Sequence, residues 1–98
     1  MSESISTDQL AVLLAQSQIN LIDVRETFEF NVQHIDGAVN HPLSEIDKWD
    51  QQLDHNQKYY LICRSGHRSS QAQITLTQLG FDTVNVEGGM LNWHGSTV

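Results

Sequence analysis

The run Cys63, Arg64, Ser65, Gly66, His67, Arg68 puts the only thiol of the chain at the head of a short basic stretch. Five Lys and Arg stand against twelve Asp and Glu in 98 residues, so two arginines inside six positions form a local positive island in a chain of net charge -7. A thiol attacks as its thiolate, and its ordinary pKa of about 8.5 falls when the sulfur faces a helix N-terminus or a nearby arginine. Gly66 allows the backbone to curl so that successive N–H groups point inward at an anion. The expectation is a cradle in which Cys63 is the nucleophile and Arg64, Ser65, Gly66, His67 and Arg68 bind an anionic substrate. A free cysteine by itself is more often a small buried hydrophobe. The two adjacent guanidinium groups favour a reactive thiol, because an inert core cysteine has no use for them. Arg68 at or near a helix N-terminus opposes the dipole by a few tenths of a kcal/mol, which implies a compensating anion.

Such a loop needs rigid elements on both sides. Lys58, Tyr59, Tyr60, Leu61 and Ile62 read as a strand from their aromatic and branched side chains, so Cys63 falls at a strand's carboxyl end. A helix is expected from Ser69 onward, with Ala72, Ile74, Leu76 and Leu79 and a stop at Gly80. Upstream, Ser6 and Gln9 fit a capping box for a helix running to about Gln16, and residues 20–24 read as a buried strand. Residues 25–32 carry Phe28 and Val32 at i, i+4 and predict a short helix, and residues 37–40 a brief strand entering a turn at Pro42. Ser44 is the expected cap of a helix bearing Ile46, Trp49 and Leu53. Residues 83–86 read as a last strand, and Gly88 and Gly89 turn the chain into a short helix with Met90, Leu91 and Trp93. Strands alternating with helices predict an α/β fold around a mainly parallel sheet, whose ligands sit at the carboxyl ends of the strands.

Length bounds the rest: residues 1–98 are expected to form one domain. The acidic balance argues against nucleic acid and an anionic membrane as partners, and no apolar run approaches the roughly 18 residues of a membrane span. One cysteine makes no internal disulfide, and the first eight residues lack a basic, apolar leader, so a cytoplasmic protein with a free thiol is expected. His34, His41, His55 and His94 lack metal-ligand spacing, and no metal site is expected. His67 is expected to face solvent, since a thiolate held by its loop needs no base. Asp23, Arg25 and Glu29 read as scaffold, with Asp23 bonding loop amides or pairing with Arg25. Gly88 and Gly89 should permit close backbone approach beside the loop, and Trp93 should pack in the core.

Four separated segments together resemble the rhodanese family of sulfurtransferases. Leu21, Ile22, Asp23, Val24 and Arg25 with Glu26 and Glu29 resemble its first signature, and His34, Ile35, Asp36, Gly37 and Ala38 its second. Cys63 to Arg68 resembles the Cys-Arg-x-Gly-x-Arg loop associated with thiosulfate use, and Gly88, Gly89 and Met90 with Trp93 resemble the closing signature. Gln33 and Asp36 stand where the second signature has Gly and Pro, outside the cysteine loop, and bear on local turn geometry. The resemblance implies a three-layer α/β/α rhodanese-like sandwich around a five-stranded sheet. It also implies a persulfide on Cys63, formed from a small anionic sulfur donor such as thiosulfate and consumed by cyanide or a thiol, a protein thiol included. No metal or organic cofactor is required. The competing readings are a rhodanese-fold phosphatase or arsenate reductase and a non-catalytic binding module. The phosphatase loop is Cys-x5-Arg, whereas four residues separate Cys63 from Arg68 here, and binding modules of this fold typically lack the cysteine.

Overall fold

In the computed structural model, which describes residues 3–98, strand β1 (Glu3–Ile5) leads directly into helix α1 (Thr7–Gln16). Ser6 caps that helix: its hydroxyl accepts from the Gln9 amide at 3.1 Å while the Gln9 side chain accepts from the Ser6 amide at 2.8 Å. Strand β2 (Asn20–Asp23) and helix α2 (Thr27–Val32) follow, then the two-residue strand β3 (Val39–Asn40). A 3-10 turn, the short helix α3 (Ile46–Trp49) and a second 3-10 turn connect to β4 (Lys58–Ile62). Helix α4 (His67–Gln78), strand β5 (Asp82–Val86) and helix α5 (Gly89–Asn92) complete the chain.

All strand pairings are parallel, in the order β1-β5-β4-β2-β3. Period-two alternation divides the apolar residues between the two faces. Ile22, Leu61 and Cys63 pack with Trp49, Ala72 and Leu76 on the α3/α4 side. Leu21, Ile62 and Val86 pack with Leu10 from α1 and with Met90 and Trp93 on the opposite side. Helices thus cover both faces of a five-stranded sheet, as the family resemblance implied.

The residue-by-residue reading misses β1. Its three residues, Glu3, Ser4 and Ile5, bear no periodicity that could mark a strand, and their pairing with Val84, Asn85 and Val86 is a tertiary contact. Ser44 does not cap α3 with its side chain; its hydroxyl donates to Glu26 Oε2 at 2.9 Å. Helix α4 begins at His67, two residues earlier than expected, behind Gly66 in the left-handed region at φ 101°. Its end follows the sequence reading: with Gly80 at φ 89°, the Gly80 and Phe81 amides donate to the Thr77 and Leu76 carbonyls, each at 3.0 Å.

The site lies where the strand order reverses. From β2 the chain moves outward to β3, then returns to the other side of β2 for β4 and continues away from it to β5, which lies between β4 and the first strand, β1. The carboxyl ends of β2 and β4 therefore flank a topological switch point, the usual ligand crevice of such sheets. Val24 and Cys63 sit there, each one residue past its strand, and the Val24 amide donates to Ile62 O at 2.9 Å.

Candidate functional site

Cys63 follows Leu61 on the face of β4 that α4 covers, and the first turn of α4 is folded over the sulfur. The Gly66 amide donates to Sγ at 3.1 Å and the Ser69 amide at 3.4 Å, with Ser69 Oγ 3.3 Å from the same atom. Ser69 is fully buried, and its hydroxyl also reaches the Gly66 carbonyl at 3.2 Å. Asn85 Nδ2, from β5, lies 3.4 Å from that carbonyl. Burial pushes the Cys63 thiol up, but the Ser69 hydroxyl and the amides of Ser69, Gly66 and Ser65 pull it further down, so its pKa lies below the ordinary thiol value. The lowering comes chiefly from hydrogen bonds at the helix entrance, one of the two influences, with nearby arginine, that the sequence reading named. Cys63 is 0 % exposed, its sulfur lying beneath the loop.

A glycine from the β5–α5 turn holds the loop in place. Gly89, at φ 56°, lies so close to the thiol-bearing strand end that a Cβ there would run into Cys63 O and come within 2.6 Å of Arg64 O. That approach lets the amides of Met90 and Leu91 donate to the Cys63 and Arg64 carbonyls at 2.8 and 3.0 Å. The close approach expected of the glycine pair is thus present at Gly89, whereas a Cβ on Gly88, at φ 79°, would meet the Asn92 side chain of α5. Trp93 packs with the α1/α5 cluster and donates from Nε1 to Ser96 O at 3.2 Å.

The charged rim differs from the sequence expectation. Arg68 grips Glu29 in a bidentate pair, Nη1 to Oε1 at 2.7 Å and Nη2 to Oε2 at 2.9 Å. That pairing holds the Glu29 carboxyl down at about 2 despite the opposing effect of burial. The anion inferred opposite Arg68 is thus a carboxylate of the chain itself. Arg25 is likewise committed, with Nε and Nη2 on the Asp23 carboxylate at 2.8 to 3.1 Å and Nη2 also on Gln33 O at 2.9 Å. Asp23 accepts from the Arg25 amide as well, at 3.0 Å, so it does both things expected of it. Arg64 is exposed and makes no ion pair among the described residues. Ser65 and His67 are exposed, with the His67 ring 3.4 Å from Gln71 Nε2 along the helix surface.

Of the six sequence-selected residues, Cys63 and Gly66 meet at the sulfur, the Ser65 amide helps to lower the thiol, Arg64 and His67 are exposed, and Arg68 is paired with Glu29. The residue missed is Ser69, whose signal was its place in the first turn of the helix after the cysteine loop. Glu29 was read as scaffold, but its pairing with Arg68 across 39 positions has no local signature.

A groove of about 310 Å³ runs beside the loop, bordered by Arg64, Glu29, Phe28, Val32, Met90 and Leu91. A larger cleft of about 540 Å³ opens at the amino ends of the strands, by Leu14, Asn20, Asp36 and Gln57, and brings together no thiol and no cation. No group of three or more His, Cys, Asp or Glu among the described residues is placed to hold a metal ion, and no described helix is long and apolar enough to cross a membrane.

Residues 6–96 match the model of the rhodanese-like domain family. The chain is 31% identical over 91 residues to the thiosulfate sulfurtransferase GlpE of Shewanella oneidensis, covering 92% of this chain and 90% of that protein. It is 42% identical over 84 residues to the Bacillus subtilis protein named "Putative sulfur carrier protein YrkF", covering 85% of this chain but only 45% of that relative. Among solved structures, a rhodanese-like domain protein from Staphylococcus aureus superposes with a TM-score of 0.90 at 35% identity, over 96% of this chain and 93% of that one.

Proposed function

The chain belongs to the rhodanese-like domain family, and from that premise we propose that it is a sulfurtransferase carrying sulfane sulfur on Cys63. The observation that supports this reading best is the set of donors converging on Sγ, the Gly66 and Ser69 amides and the Ser69 hydroxyl at 3.1 to 3.4 Å. Donors fixed by backbone geometry stabilise an anionic sulfur without reorganising during the reaction.

In the first step the Cys63 thiolate attacks the outer sulfur of a donor such as thiosulfate. The donor's S–S bond breaks, sulfite leaves with the electron pair, and Cys63 holds a persulfide. In the second step a cyanide ion or a thiolate attacks the terminal sulfur and restores the Cys63 thiolate, giving thiocyanate or a new persulfide. The Ser65, Gly66 and Ser69 amides suit both anionic forms of the sulfur. Arg64, exposed at the rim, is the cation for the donor. Arg68 serves by clamping α4 to α2 through Glu29.

A phosphatase would use the arginine closing the loop to hold its tetrahedral anion. Here that guanidinium is occupied by Glu29, which weighs against the phosphatase reading along with the four-residue spacing.

The test is intact mass measurement after incubation with thiosulfate, before and after a reducing thiol. The protein is expected to gain one sulfur atom reversibly, and Cys63→Ser to gain none while unfolding like the parent. A loaded Cys63→Ser protein, or turnover of thiosulfate and cyanide by it at the parent rate, would remove Cys63 from the mechanism.

A further inference from the structure

Three donors converge on one carbonyl beside the sulfur. The Gly66 oxygen accepts the first backbone bond of α4 from the Ser70 amide at 3.1 Å, and the Ser69 hydroxyl and Asn85 Nδ2 reach the same atom at 3.2 and 3.4 Å. A carbonyl oxygen has two lone pairs. The Ser70 amide is fixed by the helix, so Ser69 and Asn85 compete for the lone pair that remains. The Ser69 hydroxyl has one proton and two acceptors within reach, Gly66 O at 3.2 Å and Cys63 Sγ at 3.3 Å. While Cys63 is a thiol, its S–H donates to Ser69 Oγ and the hydroxyl donates to the carbonyl. A thiolate has no proton to give, so the hydroxyl must turn to the sulfur and leave the carbonyl. The side chain placed to take over that lone pair is Asn85. Against the opposing effect of burial, the Ser69 hydroxyl is the first of the donors that hold the Cys63 thiol below its ordinary value, so the direction of its proton matters.

The packing around Asn85 does not call for an amide. The residue lies on β5 between Val84 and Val86, in register with Leu61 of β4, and is only 9 % exposed. Its Oδ1 is buried without a hydrogen-bond partner among the described residues. An unpaired buried acceptor costs stability, and an apolar side chain on the strand would avoid that cost. The amide is therefore held for its donor, whose hydrogen bond goes to Gly66 O. The titratable groups at this end of the sheet are the Asp23–Arg25 and Glu29–Arg68 pairs with Arg64, His67 and Glu87. None of these side chains is hydrogen-bonded to Asn85, and replacing a neutral amide leaves their charges as they are.

Resting on the sulfurtransferase reading, in which Cys63 acts as a thiolate, we propose that Asn85 is a positioning residue that fills the second lone pair of the Gly66 carbonyl and so leaves the Ser69 hydroxyl proton to the Cys63 sulfur. Asn85 touches no reacting atom; it acts through Gly66 and Ser69.

The experiment follows iodoacetamide alkylation of Cys63 against pH in the parent, in Asn85→Val, and in both proteins carrying Ser69→Ala. Asn85→Val is expected to move the midpoint up and to slow alkylation about threefold below it, less than loss of the hydroxyl itself. In the Ser69→Ala background the same replacement is expected to move neither, because the proton it directs is gone. The thermal midpoint of Asn85→Val should equal or exceed the parent's, since the unpaired Oδ1 is removed. Asn85→Ala, which only shortens the side chain, gives the same reading if valine does not fit. An alkylation midpoint unmoved in both variants, or one that moves as far without the Ser69 hydroxyl as with it, overturns the proposal. Loading of the parent by thiosulfate then leaves the sulfurtransferase reading standing. Failure of thiosulfate to load the parent overturns that reading, and with it the part of Asn85 in sulfur transfer, whatever the midpoints do.

Discussion

Strands β2 and β4 are neighbours in the sheet and hand the chain to helices at the same end of it, yet the two junctions use their free amides in different ways. After β2, α2 satisfies its own entrance: the Glu26 amide donates to Glu29 Oε1 at 3.0 Å, and the Asp23 carboxylate takes the Arg25 amide. After β4, α4 begins behind Gly66, which has no side chain to cap with, and its entrance amides turn to the Cys63 sulfur. Every helix leaves about four N–H groups without an intrahelical partner. Where acidic side chains supply the acceptors, the junction becomes an anchor; where a glycine supplies none, the amides are free for a reacting anion. The two junctions are then bolted together by Arg68 and Glu29, so the anchored one steadies the one that carries Cys63.

The severest way to break this contrast is to disturb the β4 junction from outside. Gly89→Ala puts a Cβ against the Cys63 and Arg64 carbonyls at a residue held at φ 56°, so both clash and left-handed strain must be relieved by moving the loop. The expected cost is about 3 kcal/mol, or roughly 15 °C in the thermal unfolding midpoint of a domain this size. Circular dichroism melting checks it. A midpoint within a few degrees of the parent would show that the loop tolerates displacement and is not pinned by the β5–α5 turn.

A smaller change sharpens the contrast at the sulfur itself. Ser69→Ala removes the hydroxyl 3.3 Å from Sγ and leaves the amides in place. A hydrogen bond to an ionised group contributes about 1.5 kcal/mol or more, so alkylation by iodoacetamide at pH 7 is expected to slow about tenfold. The midpoint of the rate against pH should move up, since the hydroxyl is a leading cause of the lowered thiol pKa. An unmoved midpoint would assign the lowering to the backbone amides alone.

How much of this was legible in the sequence follows from how local each feature is. The strand at residues 58–62, the capping box at Ser6 and the stop at Gly80 are written within a few neighbouring positions, and all three stand in the structure. So is the glycine-hinged loop that brings Cys63 and Gly66 together. β1 was invisible because its three residues become a strand only by pairing with β5. The direction of Arg68 was invisible for a similar reason: a guanidinium beside a cysteine reads as a substrate cation until a carboxylate 39 positions away takes both its nitrogens. Charge counted along a sequence overstates the charge available in a site, because it omits the partners that folding brings in.

That ion pair between the two junctions gives the smallest expected effect. The Glu29 carboxyl is depressed from 4.5 to about 2, chiefly by its hydrogen bonds to Arg68, and both side chains are less than a third exposed. Unscreened, such a shift corresponds to about 3 kcal/mol; solvent at a partly exposed pair reduces this to about 1 kcal/mol. Glu29→Gln is the suitable variant, because its amide oxygen can still accept from Glu26 while the charge is gone. A group whose folded pKa is lowered contributes stability that is complete above its unfolded value and disappears as pH falls through the folded one. The variant should therefore be less stable than the parent by about 1 kcal/mol at pH 7, and the two should converge between pH 4.5 and about 2. Urea unfolding at a series of pH values measures this difference directly. A gap that persists unchanged to pH 2 would mean that Glu29 acts through packing and the α2 entrance alone, and that the two junctions are joined by shape instead of charge.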